Sequence, residues 1–236
     1  MIEIKVLASS SAGNCYRIDD GKTPLLLEAG IPLKKIQQAT GYTVTSVKGC
    51  LVTHEHKDHS KAVHDLMNLG INCYMSSGTA EAIEVHGSRC KEIKAGDSLT
   101  IGSWKIRPFE TNHDCAEPLG YLLLSQHTGE RLVFITDSYY VKYRFEKLNY
   151  IMVECNYAED IIRQNVTDGI VAESMRKRIL RSHLSLDNCK ELLRANDLSE
   201  VKEIYLLHLS DNNSDEERFK KEVEAVTGRP VYIAAK

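Results

Sequence analysis

The stretch Thr53-His54-Glu55-His56-Lys57-Asp58-His59 constrains this chain more than any other. It follows Cys50-Leu51-Val52, which is apolar and small, and precedes Ser60, a residue type favoured at helix N-caps. That order predicts a strand delivering a ligand loop to a helix start. Side chains of an extended segment alternate with period two, so His54 and His56 point the same way. Asp58 and His59 then turn toward a neighbouring position as the chain bends into the helix. One short loop thereby offers imidazole nitrogens to one metal, and an imidazole with a carboxylate to a second. Such donors suit zinc, manganese or iron rather than calcium. A solvated, His-rich surface loop is the alternative. Three His and one Asp within six residues, straight after an apolar strand, argue for metal instead.

With 236 residues, the chain has room for one large α/β domain or two small ones. An apolar content of 42% supports a sizeable core. The net charge of −3 gives no overall attraction to polyanions, so a nucleic-acid partner would need a local basic patch. Seven cysteines, with no CxxC pair, fit a reduced compartment. Met1-Ile2-Glu3-Ile4-Lys5-Val6 alternates as a strand and lacks a signal-peptide core. No apolar run approaches a membrane span. A cytoplasmic protein without membrane association is expected.

Alternation and turn residues predict strands over 2–8, 15–18, 24–28 and 47–52, with a helix from Pro32 that stops at Gly41. A helix over 61–69, a strand over 71–75 and a helix over 79–85 follow. Residues 98–101 and 104–109 read as a hairpin around Gly102-Ser103, and 121–124 and 131–135 as a second pair. Further strands are expected over 150–153, 204–207 and 231–233. Helical segments are expected within 158–181 and over 187–195 and 214–226. The expected architecture is α/β, a single domain over 1–236 of two packed mixed sheets flanked by helices.

Other ligands are sought where a His or Asp ends an apolar strand. His113 follows Ile106–Phe109 in the polar segment Glu110-Thr111-Asn112-His113-Asp114. Asp137 ends Leu132-Val133-Phe134-Ile135-Thr136, where a buried carboxylate needs a charge partner. His208 ends Ile204-Tyr205-Leu206-Leu207 in the same way. The ligand count then closes, with His54, His56 and His113 for one metal and Asp58, His59 and His208 for the other. Asp137 would bridge them, leaving room for a shared hydroxide.

With these residues in this order, the chain resembles the metallo-β-lactamase superfamily. The pattern HxHxDH, a later His, a strand-end Asp and a final strand-end His are its ligand motifs. The resemblance implies an αββα sandwich with two divalent transition-metal ions, zinc, manganese or iron, at one edge. It leaves the substrate open. Ser9-Ser10-Ser11-Ala12-Gly13-Asn14-Cys15 is similar to the "SSSGNC" opening of the YycJ (WalJ)-like nuclease branch. Val153-Glu154-Cys155-Asn156-Tyr157 resembles its "EANxD", Ser182-His183-Leu184-Ser185 its "GHLSN", and His208-Leu209-Ser210-Asp211-Asn212-Asn213 its "HLSxxNN". What that branch implies is a metal-dependent phosphodiesterase on nucleic acid, a 5′→3′ exonuclease on DNA. One departure stands out: Leu26-Leu27-Glu28-Ala29-Gly30 carries Glu where the family's "LIDAG" has Asp. That carboxylate is expected to brace the ligand loop rather than bind metal.

His183 is surplus to the ligand count and follows Arg176-Lys177-Arg178-Ile179-Leu180-Arg181, so a phosphate-facing role is expected of it. Catalysis is thus assigned to Asp58, also a ligand, and to His183. Ser185 is a candidate donor to the same phosphate. Arg176, Lys177, Arg178 and Arg181 are candidates for a backbone-phosphate track, although such runs are usually solvated helix faces. Tyr139, Tyr140 and Tyr143 could stack on bases, with at least one expected to pack inside. His64, His86 and His127 are assigned nothing, and Trp104 is expected in the core. Two other classes compete: a small-ester or cyclic-phosphodiester hydrolase on the same ligands, and a silent nucleic-acid-binding scaffold. Intact ligands weigh against the scaffold, and the basic segment against the small-molecule enzyme.

Overall fold

Each strand of the computed structural model, which describes residues 1–234, follows from where apolar side chains fall along its run. β1 (Glu3–Ala8) starts by alternating exposed and half-buried positions, as an edge strand with one wet face does. β2 (Cys15–Asp19), β3 (Leu25–Leu27), β4 (Cys50–Leu51), β5 (Cys73–Met75) and β6 (Cys90–Glu92) lie beside it in chain order as a six-stranded sheet. The first two pairings are antiparallel and the other three parallel. β3 and β4 are buried at every position, as parallel strands covered on both faces must be.

Four short helices fill the connections: α1 (Leu33–Ala39), α2 (Lys57–Ser60), α3 (Val63–Asn68) and α4 (Ser77–Ala82). Ile36, Val52, Val63, Leu66 and Met75 meet in one buried cluster. The antiparallel ribbon β7 (Leu99–Ile101), β8 (Trp104–Glu110) and β9 (Leu119–Ser125) belongs to the same compact unit, residues 1–110 and 115–130. Trp104 is fully buried there and donates Nε1–H to the Thr23 carbonyl at 2.8 Å. Beside it, Asp20 Oδ2 accepts from the Ser103 and Ser125 hydroxyls at 2.6 Å each, and Oδ1 from the amides of Lys22 and Thr23. Burial alone would raise the Asp20 pKa, but these four donors hold it below the usual carboxylate range.

The second unit comprises residues 111–114 and 131–234. Its strands β10 (Arg131–Ile135), β11 (Tyr150–Glu154), β12 (Glu203–Leu207) and β13 (Val231–Ile233) run parallel. Crossovers and flanks carry α5 (Glu159–Thr167), α6 (Glu173–Ser182), α7 (Leu186–Arg194) and α8 (Glu216–Thr227). All strands fall into two mixed sheets, of six and seven strands, flanked by helices. No helix among the described residues is long and apolar enough to cross a membrane.

Two local expectations fail. The helix foreseen at 61–69 is observed as α3, from Val63 to Asn68, and a separate short helix, α2, precedes it from Lys57 with His56 in the N-cap position. Ser60 therefore ends α2 instead of capping it, and its hydroxyl donates to the Glu55 carbonyl at 2.7 Å. β6, half-exposed at a sheet edge and rich in polar residues, gives no alternating signal and was not foreseen.

Candidate metal centre

In the first unit the donors converge from β4 and α2. His54 lies three residues beyond Leu51, and its Nε2 is 3.2 Å from Nδ1 of His56. Thr53 Oγ1 sits 2.8 Å from the other nitrogen, Nδ1, and so fixes the ring. Asp58 and His59 follow on α2, with Asp58 Oδ2 3.3 Å from His59 Nε2. The His54 and His59 rings lie 4.1 Å apart, centroid to centroid. The expected pairs, His54 with His56 and Asp58 with His59, are thus each brought together.

What shapes this loop comes from the segments around it. Glu28, fully buried just past β3, adopts a left-handed backbone (φ 65°). Its carboxylate accepts from the Thr53 amide and lies 3.6 Å from His59 Nδ1. The Asn14 amide N–H donates to the Asp58 carbonyl at 2.7 Å, and the Ala29 N–H to that of His59 at 2.8 Å. Gly30 is required here, since a Cβ on it would fall 1.6 Å from the Asp58 carbonyl oxygen.

In the second unit, donors gather at the ends of β10, β11 and β12. Asp137 and His208 both have positive φ, 40° and 52°, and Asp137 Oδ1 is 2.8 Å from His208 Nδ1. His113 donates Nδ1–H to the Ser182 carbonyl at 2.7 Å, which turns its other nitrogen, Nε2, to within 3.6 Å of Asp137 Oδ2. Glu154, fully buried at the end of β11, holds His183 Nδ1 at 2.6 Å through Oε1. Its Oε2 accepts from the amides of Ser138 and Leu184. Asp137, Glu154, His183 and His208 each offer an atom within 4.8 Å of the others.

The charges follow from these contacts. Burial alone would depress His183, but the Glu154 carboxylate outweighs it and its pKa is raised. Burial would likewise raise Glu154, and the His183 charge brings it below the usual range instead. His113 is lowered because its burial outweighs the pull of Asp137. A lowered pKa favours the neutral imidazole that can ligate a metal, and a raised one favours the doubly protonated form that donates.

Among the remaining candidates, Ser185 is buried and its hydroxyl oxygen caps α7 by accepting from Asn188 N at 3.1 Å. Lys177, Arg178 and Arg181 lie exposed on α6, while Arg176 is drawn to Glu159 and Glu173. Tyr139 and Tyr140 are exposed, and Tyr143 packs toward Phe145. His64, His86 and His127 are exposed. Sequence reasoning missed Asn14 and Glu154. The strand-end rule applied to Asp137 and His208 fits Glu154 equally well and would have found it.

The donor chemistry, imidazole nitrogens crowded against carboxylate oxygens in both units, fits divalent transition metals. A model of the beta-lactamase superfamily domain matches residues 26–209. The chain belongs to the metallo-β-lactamase superfamily. As a hydrolase of that superfamily it is 31% identical over 231 residues to exodeoxyribonuclease YycJ of Bacillus anthracis, a match covering 91% of this chain and 85% of that one. Exodeoxyribonuclease WalJ of Streptococcus pneumoniae is 30% identical over 229 residues, covering 90% and 83%. The metallo-β-lactamase fold protein YhfI of Bacillus subtilis superposes with a TM-score of 0.77 at 18% identity, covering 100% of this chain and 96% of that one. That likeness speaks for the fold alone.

Proposed function

We propose that this metallo-β-lactamase superfamily hydrolase is a phosphodiesterase acting on nucleic acid, a 5′→3′ DNA exonuclease. The observation that carries the reading is the Glu154–His183 pair, an imidazole held at 2.6 Å by a buried carboxylate beside Asp137 and His208. The proposed ligand set is complete without this imidazole, whereas a phosphoryl oxygen gathering charge needs such a donor. The exodeoxyribonuclease names of YycJ and WalJ support the same choice. Under this reading residues 1–236 work as one domain. His54, His56 and His113 hold one metal ion, Asp58, His59 and His208 a second, and Asp137 bridges. Zinc, manganese or iron would supply an acidified water and neutralise charge on the phosphate. His183 donates to a phosphoryl oxygen, with the Ser185 hydroxyl as a second donor. Lys177, Arg178 and Arg181 lead the backbone toward it, with Arg176 ordering that helix face. A DNA substrate and seven cysteines assign it to the cytoplasm.

The test is digestion of 5′-labelled and 3′-labelled DNA and RNA, single-stranded and duplex, by protein loaded with manganese or zinc. Release of label as mononucleotide from the 5′ end of DNA is expected. A protein that leaves every polymer intact yet opens a cyclic phosphodiester belongs to the small-molecule reading instead.

Elemental analysis of reconstituted protein should give close to two transition-metal ions per chain. Asp58→Ala and His208→Ala should each bring that toward one, and a reconstituted protein devoid of metal would sink the assignment. Binding to DNA should weaken steeply with salt, by a log–log slope of about 0.7 to 0.9 per phosphate neutralised. Lys177→Ala with Arg181→Ala, four residues apart on α6, should flatten that slope equally for all sequences. An unchanged slope would remove the track from the proposal.

A further inference from the structure

A cavity of about 280 Å³ opens in the second unit between residues 140–144 and α7, with Leu184 among its lining. None of the residues proposed to hold the metal ions lines it, whereas Tyr140 and Tyr143, two of the candidates for stacking on bases, do. Its volume falls just under the usual span of ligand pockets, roughly 300–1,000 Å³, so it suits a single small ligand rather than a duplex. Two cations, Lys142 and Arg144, and one carboxylate, Glu191, line it, giving a net positive lining. Tyr140, Tyr143 and the Asn188 amide add flat and hydrogen-bonding surface.

The wall is pinned although Tyr140, Lys142 and Arg144 on it are exposed. The Tyr140 carbonyl accepts from Ser138 Oγ at 2.8 Å and from Asn112 Nδ2 at 2.9 Å. The Tyr139 carbonyl accepts from Asn188 Nδ2 at 3.3 Å, and the Phe145 amide donates to Asn196 Oδ1 at 2.6 Å. Tyr140 nevertheless leaves 57% of its surface in water. A large aromatic on a fixed backbone, with no core to fill, is suited to meet a flat partner. Lys142 and Arg144 beside it suit a phosphate. Both ends of the wall start from the metal centre, for Tyr140 comes three residues after Asp137 and Leu184 directly follows His183.

We propose that this cavity is a nucleotide subsite, taking one base against Tyr140 and its phosphate on Lys142 and Arg144. Its place in a reaction rests on the nuclease reading, where it would seat the nucleotide flanking the scissile bond. Its binding does not, because the ligand class follows from the cavity alone.

The experiment titrates chelator-treated, full-length protein with deoxyadenosine 5′-monophosphate, deoxyadenosine and inorganic phosphate, read by calorimetry. The nucleotide should bind about tenfold tighter than either fragment, the scale of one stacked base. Tyr140→Ala should remove the gain over phosphate, and Lys142→Ala with Arg144→Ala the gain over the nucleoside. Thermal melting of each variant shows that it is folded, and Tyr140→Phe should restore stacking. Equal binding of all three ligands, no binding of the nucleotide, or affinities unmoved in folded variants would overturn the subsite. If the nucleotide binds as expected but manganese-loaded protein degrades no DNA, the nuclease reading fails and the subsite stands. If DNA is degraded but the nucleotide does not bind, only the subsite fails.

Discussion

His183→Ala should lower turnover on a phosphodiester by about a hundredfold or more while both metal ions stay bound. The size is that of losing one well-placed donor to developing charge. In the folded protein Glu154, buried and 2.6 Å away, outweighs the penalty of burial and raises the imidazole pKa. Glu154→Gln should therefore impair turnover as well. The double variant should be little worse than the worse single one, since the two side chains act as a unit. Metal content measured alongside the rates decides the role. A His183→Ala protein that has lost an ion would place His183 among the ligands and leave no donor for the phosphate.

Asp20→Ala should destabilise the chain by about 3 kcal/mol at neutral pH. Four donors converge on that carboxylate, two of them hydroxyls at 2.6 Å, and bonds to a charged acceptor contribute roughly 1.5–3 kcal/mol each before partial rescue by water. For a chain of this size the melting temperature should fall by roughly 6–12 °C. The pH dependence has a definite sign. The folded pKa of Asp20 is depressed, so its contribution is fully present above the ordinary aspartate pKa of about 3.9 and is lost as pH falls through the folded value. Calorimetry should show wild type and variant converging in acid. Equal melting at pH 7 would mean that the serine hydroxyls find other partners.

The ligand loop was legible because period-two alternation needs only a strand of known direction, and Leu51 and Val52 supply it. His113, Asp137 and His208 were legible because a polar group closing an apolar strand must find a partner. The start of α2 was not, since Lys57-Asp58-His59-Ser60 carries little helix propensity of its own. Its geometry comes from distant backbone, with Ala29 accepting from the Ala62 amide and donating to His59. Glu154 ends a buried strand as Asp137 and His208 do, so its need for a partner was legible and only the partners were not. Its partners, His183 and the Ser138 and Leu184 amides, lie 29, 16 and 30 residues away along the chain. Arg176 shows the opposite limit, where a residue counted among free cations is taken up by Glu159 and Glu173.

Glu28, Asp137 and His208 share a backbone device: each ends or follows a buried strand with φ between 40° and 65°. Most L-residues resist that conformation by roughly 1–2 kcal/mol, aspartate and asparagine least, so Glu28 carries the largest cost of the three. Glycine would relieve that strain but would delete the buried contacts these side chains make, so the strain is held in place by the chemistry around it.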